Sequence, residues 1–309
     1  MKILFIEMPE IEKQCRKIFQ STGIESFNYI LKKENDIPIT EIEVIVGITP
    51  AQTMDLSQFT NLKMIQLPSA GYDQIPINEL KKRNIILANA SGVYSVPIAE
   101  WVIGKILEII KQSKYYIQNQ ERHIWKKNTH TIELPDRKAL IFGTGSIGQE
   151  IAKRLKAFDV IVDGVNSNGR DILHFRQCYD LKKGQEEAMN YDILIFSLPN
   201  NEDTAGLVNE KFITTLKDTA ILINVGRGTL INEQDLINAL NKDKFLGIAL
   251  DVMQKEPLPI ESELWTHPKV LITPHSSFLS DGINKRRIDL ITNNILAFYH
   301  NKEIKNRVI

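Results

Sequence analysis

ALIFGTGSIGQEIAKRLKAFDVIVDGVNSNGR, residues 139–170, is the stretch whose reading decides the fold. Ala139 to Phe142 is a short apolar run of the kind that forms a buried strand. Gly143-Thr144-Gly145-Ser146-Ile147-Gly148 follows, and Ile147, Ile151, Ala152 and Leu155 then recur at helical spacing. Val160 to Val165 closes the unit as a second strand. A G-x-G-x-x-G match counts as a dinucleotide fingerprint in this strand, turn, helix, strand setting. Gly143 permits the tight turn out of the strand. Gly145 lets the backbone approach a pyrophosphate at the positive end of a helix dipole, and Gly148 lets that helix pack closely.

The end of the second strand departs from the usual pattern. A free ribose 2′-hydroxyl is commonly met by an Asp or Glu about 20 residues after the glycines. Here that place holds Val165-Asn166-Ser167-Asn168-Gly169-Arg170, and Asp163 lies earlier, inside the strand. Asn166 with Arg170 behind it tolerates a 2′-phosphate, whereas Arg170 turned to solvent would leave the ribose unread. The residues therefore imply a nicotinamide dinucleotide, with NAD or NADP both open.

The remainder of the 309-residue chain is of ordinary globular composition, 43% hydrophobic and 25% charged, and its length suggests two domains. With 38 basic and 38 acidic residues the formal net charge is zero, which gives no electrostatic footprint for nucleic acid or for an anionic membrane. Cys15 and Cys178 have neither metal-ligand nor redox-motif spacing, which fits a reducing, cytoplasmic setting with no bound metal. MKILFIEMPEIEK at the start reads as a first strand cut off by Glu7, not as a signal peptide.

Apolar runs at 2–6, 44–48, 63–67 and 85–88 alternate with a helix over 10–20, so the first part of the chain is expected to hold its own parallel sheet. Two of its strand ends, Pro68-Ser69-Ala70-Gly71-Tyr72 and Asn89-Ala90-Ser91-Gly92, are small-residue turns where open α/β sheets bind ligands. Ser95 is expected to cap one long helix over 96–118, with a broad apolar face suited to burial between two domains and with Trp101 and Trp125 packed. Further strands at 192–198, 220–225, 246–251 and 270–273 bring the dinucleotide sheet to six. A last helix over 281–301 can return to the first unit and make it discontinuous. The predicted architecture is α/β: a dinucleotide-binding Rossmann domain over 96–277, inserted into a smaller flavodoxin-like substrate domain made of 1–95 and 278–309.

Three late strands end in polar residues that turns do not require: Gly226-Arg227-Gly228, Gln254-Lys255-Glu256-Pro257 and Pro274-His275-Ser276-Ser277. An Arg between glycines can offer a planar fork to a carboxylate. A His is the natural proton donor and acceptor near neutral pH, and a neighbouring Glu can orient its ring. Hydride transfer at a 2-hydroxy or 2-keto acid requires this set.

Taken together, SAGYD at 69–73, NASGVYSVPIAEW at 89–101, FGTGSIGQEIAKRL at 142–155, SLPNNEDTAGLVN at 197–209, INVGRGTLINEQDL at 223–236, ALDVMQKEPLP at 249–259 and ITPHSS at 272–277 resemble the D-isomer-specific 2-hydroxyacid dehydrogenases. That family includes phosphoglycerate, glyoxylate/hydroxypyruvate and D-lactate dehydrogenases. The resemblance implies that Arg227, Glu256 and His275 form the catalytic trio, with Arg227 on the substrate carboxylate and His275 as acid/base held by Glu256. Backbone amides around Ser69, Ala70 and Gly71 would hold the carboxylate as well. Ser146 and Ile147 would lie along the pyrophosphate, Asn166 near the ribose, and Leu198, Pro199 and Thr204 on the adenine side. Val225, Gly226 and Asp251 would meet the nicotinamide end, Asp251 through the carboxamide. A homodimer held by the dinucleotide domains is also implied. The same family contains dinucleotide-sensing corepressor-like proteins that keep the trio, so a binding protein without turnover is the alternative to an oxidoreductase.

Overall fold

Short runs of β-branched and apolar residues become parallel strands in both halves of the chain, each run buried on two faces as crossover connections demand. The structure is a computed structural model and describes residues 1–31 and 37–309. They divide into two units, Met1–Tyr94 with Ser280–Ile309, and Ser95–Leu279.

In the first unit β1 (Lys2–Ile6) leads through α1 (Pro9–Phe19) to β2 (Glu25–Tyr29) and β3 (Ile42–Val46). The short α2 (Pro50–Thr53), β4 (Met64–Gln66), α3 (Ile77–Lys82) and β5 (Ile86–Ala88) follow. The sheet is wholly parallel in the order β2-β1-β3-β4-β5, the flavodoxin-like arrangement. Strand β2 was not expected. Its sequence ESFNY is polar and half-exposed because it lies at the sheet's edge, so it lacks the buried run that marks its neighbours.

The second unit begins with a helix pair, where a single helix was expected. α4 (Ser95–Ile110) ends at a left-handed Gln112 with φ 58°, whose N–H donates to the Ile109 carbonyl, and α5 (Ser113–Glu121) starts anew. A left-handed residue closing a helix is a common C-terminal device, but Gln is not Gly, so nothing in the sequence marked it. Ser95 proves to be the first helical residue, and its buried hydroxyl makes no hydrogen bond, so it is not the expected cap. Trp125, expected to pack, is fully exposed at 102%.

The dinucleotide unit then runs β6 (Lys138–Phe142), α6 (Ser146–Lys156), β7 (Ile161–Val165), β8 (Cys178–Tyr179), α7 (Leu181–Glu187) and β9 (Ile193–Phe196). It continues with α8 (Glu210–Thr215), β10 (Ile221–Asn224), α9 (Glu233–Leu240), β11 (Gly247–Leu250) and β12 (Val270–Ile272). Seven parallel strands are present in the order β12-β11-β10-β9-β6-β7-β8, where six were expected. The additional β8 is two residues long and too short to read from a pattern. One face is filled by Phe142, Phe196 and Phe212, whose rings stack or meet edge to face, with Leu222 and Leu236 beside them. Along the other, α4 packs on α6. The order reverses between β6 and β9, which sets a crevice at the strand C-termini.

The last helix, α10 (Ile283–Tyr299), belongs to the first unit. Ile288, Ile291 and Ile295 pack with Ile3 and Phe5 of β1, Val44 of β3 and Phe19 of α1, so that unit is built from both ends of the chain. Past it, an antiparallel bridge joins Arg307 to Ala88, and the Val308 N–H donates to Leu87, covering the β5 edge.

Candidate active site

The glycine turn between β6 and α6 shows what each glycine does. Gly143 has φ +107°, and a Cβ there would lie 2.7 Å from Ser197 Oγ and 2.9 Å from its carbonyl, so conformation and space both exclude a side chain. A Cβ on Gly148 would fall 1.9 Å from the Gly143 carbonyl; the helix start lies directly on the turn. At Gly145 a Cβ would meet nothing within 4 Å, so the space over the first turn of α6 is open. As at any helix start, the first-turn amides have no acceptor within the helix itself. An open backbone edge at a helix N-terminus at the sheet's switch point fits a dinucleotide pyrophosphate.

At the end of β7, Asn166 is held from several sides. Its N–H donates to Tyr179 of β8, its Nδ2 donates to Thr144 Oγ1 at 3.2 Å and to the Arg170 carbonyl at 2.8 Å, and its Oδ1 accepts the Asn168 N–H. In the loop that follows, Ser167 and Arg170 are both exposed. Asp163 is fully buried and does not face this loop. Its Oδ1 accepts from Arg176 Nε at 3.0 Å; its Oδ2 accepts from Arg176 Nη2 and the Tyr191 hydroxyl, each at 2.5 Å, and from Gln177 at 3.2 Å. Burial alone would raise the Asp163 carboxyl, but the hydrogen bonds from Arg176, Tyr191 and Gln177 outweigh it and hold it below the usual range. Burial and the Asp163 bond push the Tyr191 hydroxyl up.

Beyond β9, the loop carrying Leu198, Pro199 and Thr204 is closed on itself. Thr204 is buried, its Oγ1 donates to the Pro199 carbonyl at 2.7 Å, and its N–H donates to Asn201 Oδ1 at 3.0 Å. Pro199 is exposed and Leu198 half-buried.

Strands β10, β11 and β12 are neighbours in one register, Asn224 beside Leu250 and Leu250 beside Ile272. Arg227 and His275 each follow their strand by three residues on one sheet edge, so the topology brings together what the sequence separates by 48 positions. Val225 is buried at the head of the Arg227 turn. The flanking glycines are steric necessities: a Cβ on Gly226 would lie 2.6 Å from the Leu198 carbonyl, and one on Gly228 1.8 Å from that of Met253. Asn224, which sequence reasoning missed, organises this turn. Fully buried, it accepts the Gly226 N–H at 3.0 Å and donates to the Arg227 carbonyl at 2.9 Å. Its only signal was an amide at the end of the otherwise apolar run AILINV.

His275 Nδ1 lies 2.9 Å from Glu256 Oε2, and the other Glu256 oxygen accepts the Met253 N–H at 3.0 Å. The ring remains 47% exposed and meets Phe278 edge to face. Asp251, expected at a carboxamide, is buried with both carboxylate oxygens committed to the turn that carries His275. They accept the N–H groups of Ser276 and Ser277 at 2.9 to 3.1 Å and the Thr273 hydroxyl.

In the first unit, the turn after β4 turns four successive carbonyls back into the fold. That of Pro68 accepts from the Tyr94 hydroxyl, that of Ser69 from the Ala90 N–H at 2.8 Å, that of Ala70 from Asn89 Nδ2 at 2.7 Å, and that of Gly71 from Ser69 Oγ at 2.9 Å. The N–H groups of Ser69, Ala70 and Gly71 donate to no group among the described residues. Consecutive free amides beside satisfied carbonyls make an anion-binding concavity.

The chain matches the family described as D-isomer specific 2-hydroxyacid dehydrogenase, NAD binding domain, over residues 103–277. It is 26% identical to a hydroxypyruvate reductase of Blautia hydrogenotrophica, over 91% of this chain and 88% of that one. It is 31% identical to a glyoxylate reductase of Thermofilum pendens, over 80% and 74%. Among solved structures, a D-isomer specific 2-hydroxyacid dehydrogenase family protein from Aeromonas salmonicida superposes with a TM-score of 0.86 at 28% identity, covering 100% of this chain and 98% of the other.

Proposed function

The chain belongs to the D-isomer specific 2-hydroxyacid dehydrogenases, and on that premise we propose that it reduces a small 2-keto acid to the D-2-hydroxy acid, with NADH or NADPH as the hydride donor. The observation that carries the reading is the His275–Glu256 pair at 2.9 Å on the sheet edge that also presents Arg227. The nicotinamide ring, when bound, supplies or accepts the hydride. Arg227 offers its fork to a substrate carboxylate, and within the first unit the Ser69, Ala70 and Gly71 amides form a concavity suited to an anion. Because Nδ1 of His275 is engaged by Glu256, Nε2 is the atom that gives the proton to the keto oxygen or takes it back from the hydroxyl. Asp251 holds the turn beneath His275.

The dinucleotide rests on the Gly143–Gly148 turn with Ser146 and Ile147 at the pyrophosphate. Leu198, Pro199 and Thr204 serve the adenine side, and Val225 and Gly226 the nicotinamide side. Asn166 at the ribose position is neutral, Asp163 is committed to Arg176 and Tyr191, and Arg170 is exposed, so no carboxylate faces the ribose and either dinucleotide fits. Glyoxylate and hydroxypyruvate are the first substrates to try, because relatives are reductases of those acids. We assign the enzyme to the cytoplasm, in keeping with its two free thiols. We also assign it a homodimeric state, because Ile117, Ile124 and Trp125 expose apolar surface close together in the chain. No helix among the described residues is long and apolar enough to cross a membrane.

The test is cofactor oxidation over a panel of 2-keto acids with each reduced dinucleotide. The expected result is turnover on at least one acid, and the ratio of rates with NADPH and NADH in wild type and in Arg170→Ala decides whether Arg170 reads the ribose. Tight dinucleotide binding with no turnover on any acid would replace this reading with the sensor.

A further inference from the structure

Behind the amide-lined turn of the first unit stands a cation with no counter-charge among the described residues. Arg287 lies near the start of α10, and its Nη2 donates to the Tyr94 hydroxyl at 3.1 Å. That hydroxyl donates in turn to the carbonyl of Pro68, the residue directly before the three free amides. The guanidinium carbon is 5.8 Å from the centre of the Tyr94 ring, and Nε is buried with no hydrogen-bond partner. Among the described residues no carboxylate pairs with Arg287, and the nearby Asp281 and Asp289 are exposed. Its neighbour Arg286 is otherwise employed, donating to the Val93 carbonyl at 2.8 Å and to Ser280 Oγ.

A guanidinium keeps its charge in any protein setting. Half-desolvated and unpaired, it is costly to hold unless an anion comes close during function. Here the charge is fixed two hydrogen bonds away from a concavity that itself favours anions. We propose that Arg287 is a specificity-determining residue for the carboxylate end of the substrate, an inference that rests on the keto-acid reading above. Through Tyr94 it fixes Pro68, and with its charge it makes the 69–71 amides select an ionised carboxylate over a neutral carbonyl compound. Touching neither the hydride nor the proton in transit, it governs binding rather than the chemical step.

The experiment measures oxalate, an unreactive two-carbon anion, by calorimetry on the NADPH-loaded protein, beside glyoxylate turnover. Arg287→Gln should weaken oxalate and raise KM for glyoxylate by about tenfold or more, the worth of one charge-assisted contact. It should leave kcat within about twofold and NADPH affinity unchanged, and Arg287→Lys should recover part of the loss. Tyr94→Phe keeps the packing and removes the relay, and should weaken oxalate by less than Arg287→Gln does.

Oxalate binding equal to wild type in Arg287→Gln would overturn the proposal. So would a lysine variant no better than the glutamine one with kcat falling alongside, which marks a packing residue, or a wild-type protein that does not bind oxalate. Arg287-dependent oxalate binding without turnover of any keto acid would sustain this inference while removing the reductase reading.

Discussion

Glu256 Oε2 stands 2.9 Å from His275 Nδ1 while His275 itself holds a left-handed backbone at φ 49°. A non-glycine residue in that region is uncommon and persists where its surroundings over-determine it. Here Asp251 is the cause: its carboxylate takes the two amides after His275, and its carbonyl takes the His275 N–H at 2.8 Å. The ring is therefore aimed from below by Asp251 and from the side by Glu256.

Replacing His275 with Gln should lower kcat by roughly a hundred- to ten-thousand-fold, the usual worth of a general acid, with dinucleotide affinity unchanged. Glu256→Gln keeps the acceptor for the Met253 amide and loses the charge; its kcat should fall by a smaller factor. Steady-state rates alongside a dinucleotide titration decide it, and a His275→Gln enzyme with wild-type kcat would remove the residue from the mechanism.

Asn224 should matter to Arg227 without touching substrate. Asn224→Ala strands the buried Gly226 N–H and the Arg227 carbonyl, a loss of about 1–3 kcal/mol. The expected reading is a higher KM for the keto acid and a lower melting temperature. Arg227→Lys, which cannot offer a planar fork, should lower kcat/KM without lowering the melting temperature. Equal stability loss in both variants would mean that Arg227 serves the fold.

Asp163 makes the second unit acid-sensitive. Its carboxyl is held below the ordinary carboxylate value in the folded protein. As pH falls, the unfolded chain therefore takes up the proton before the native state does, and stability falls with it. The contribution is complete above the unfolded value, about pH 4, and drains away as pH drops through the folded one. Asp163→Asn should be less stable at neutral pH by roughly 2–3 kcal/mol and should show a flatter decline in acid. Denaturant melts at pH 7 and pH 3 test it; parallel pH profiles for the two proteins would contradict the assignment.

Trp125 projects fully into solvent, with Ile117 and Ile124 also exposed. If copies of the chain meet there, Trp125→Glu should shift sedimentation from dimer to monomer with little change in the circular dichroism spectrum. A wild-type protein that sediments as a monomer at tens of micromolar would leave the patch without this role.

The dinucleotide unit was legible because each of its signals was redundant: glycine turn, flanking strands and helix period agreed on one register. The strand-end Arg227, Glu256 and His275 stood out because polar groups at the close of buried runs conflict with the local pattern. What escaped notice was local geometry that no residue type announces. A Gln in the left-handed region split one helix in two, and strands β2 and β8 were too polar or too short to carry a period. Asn224 and Arg287 were hidden for another reason. Their meaning depends on which backbone groups and which counter-charges lie opposite, and only the folded chain brings these together.

The first unit is closed by α10, which supplies Ile288, Ile291 and Ile295 to a core begun by Ile3 and Phe5. A ribosome releases those two halves nearly three hundred residues apart. Until the last helix emerges, that face of the opening strands has Ile11, Cys15 and Phe19 of α1 against it but lacks the α10 residues that complete it, while Ser95–Leu279 is a continuous segment that can complete its own core first. The order of synthesis thus runs against the order of maturity: the part made earliest is the part finished last.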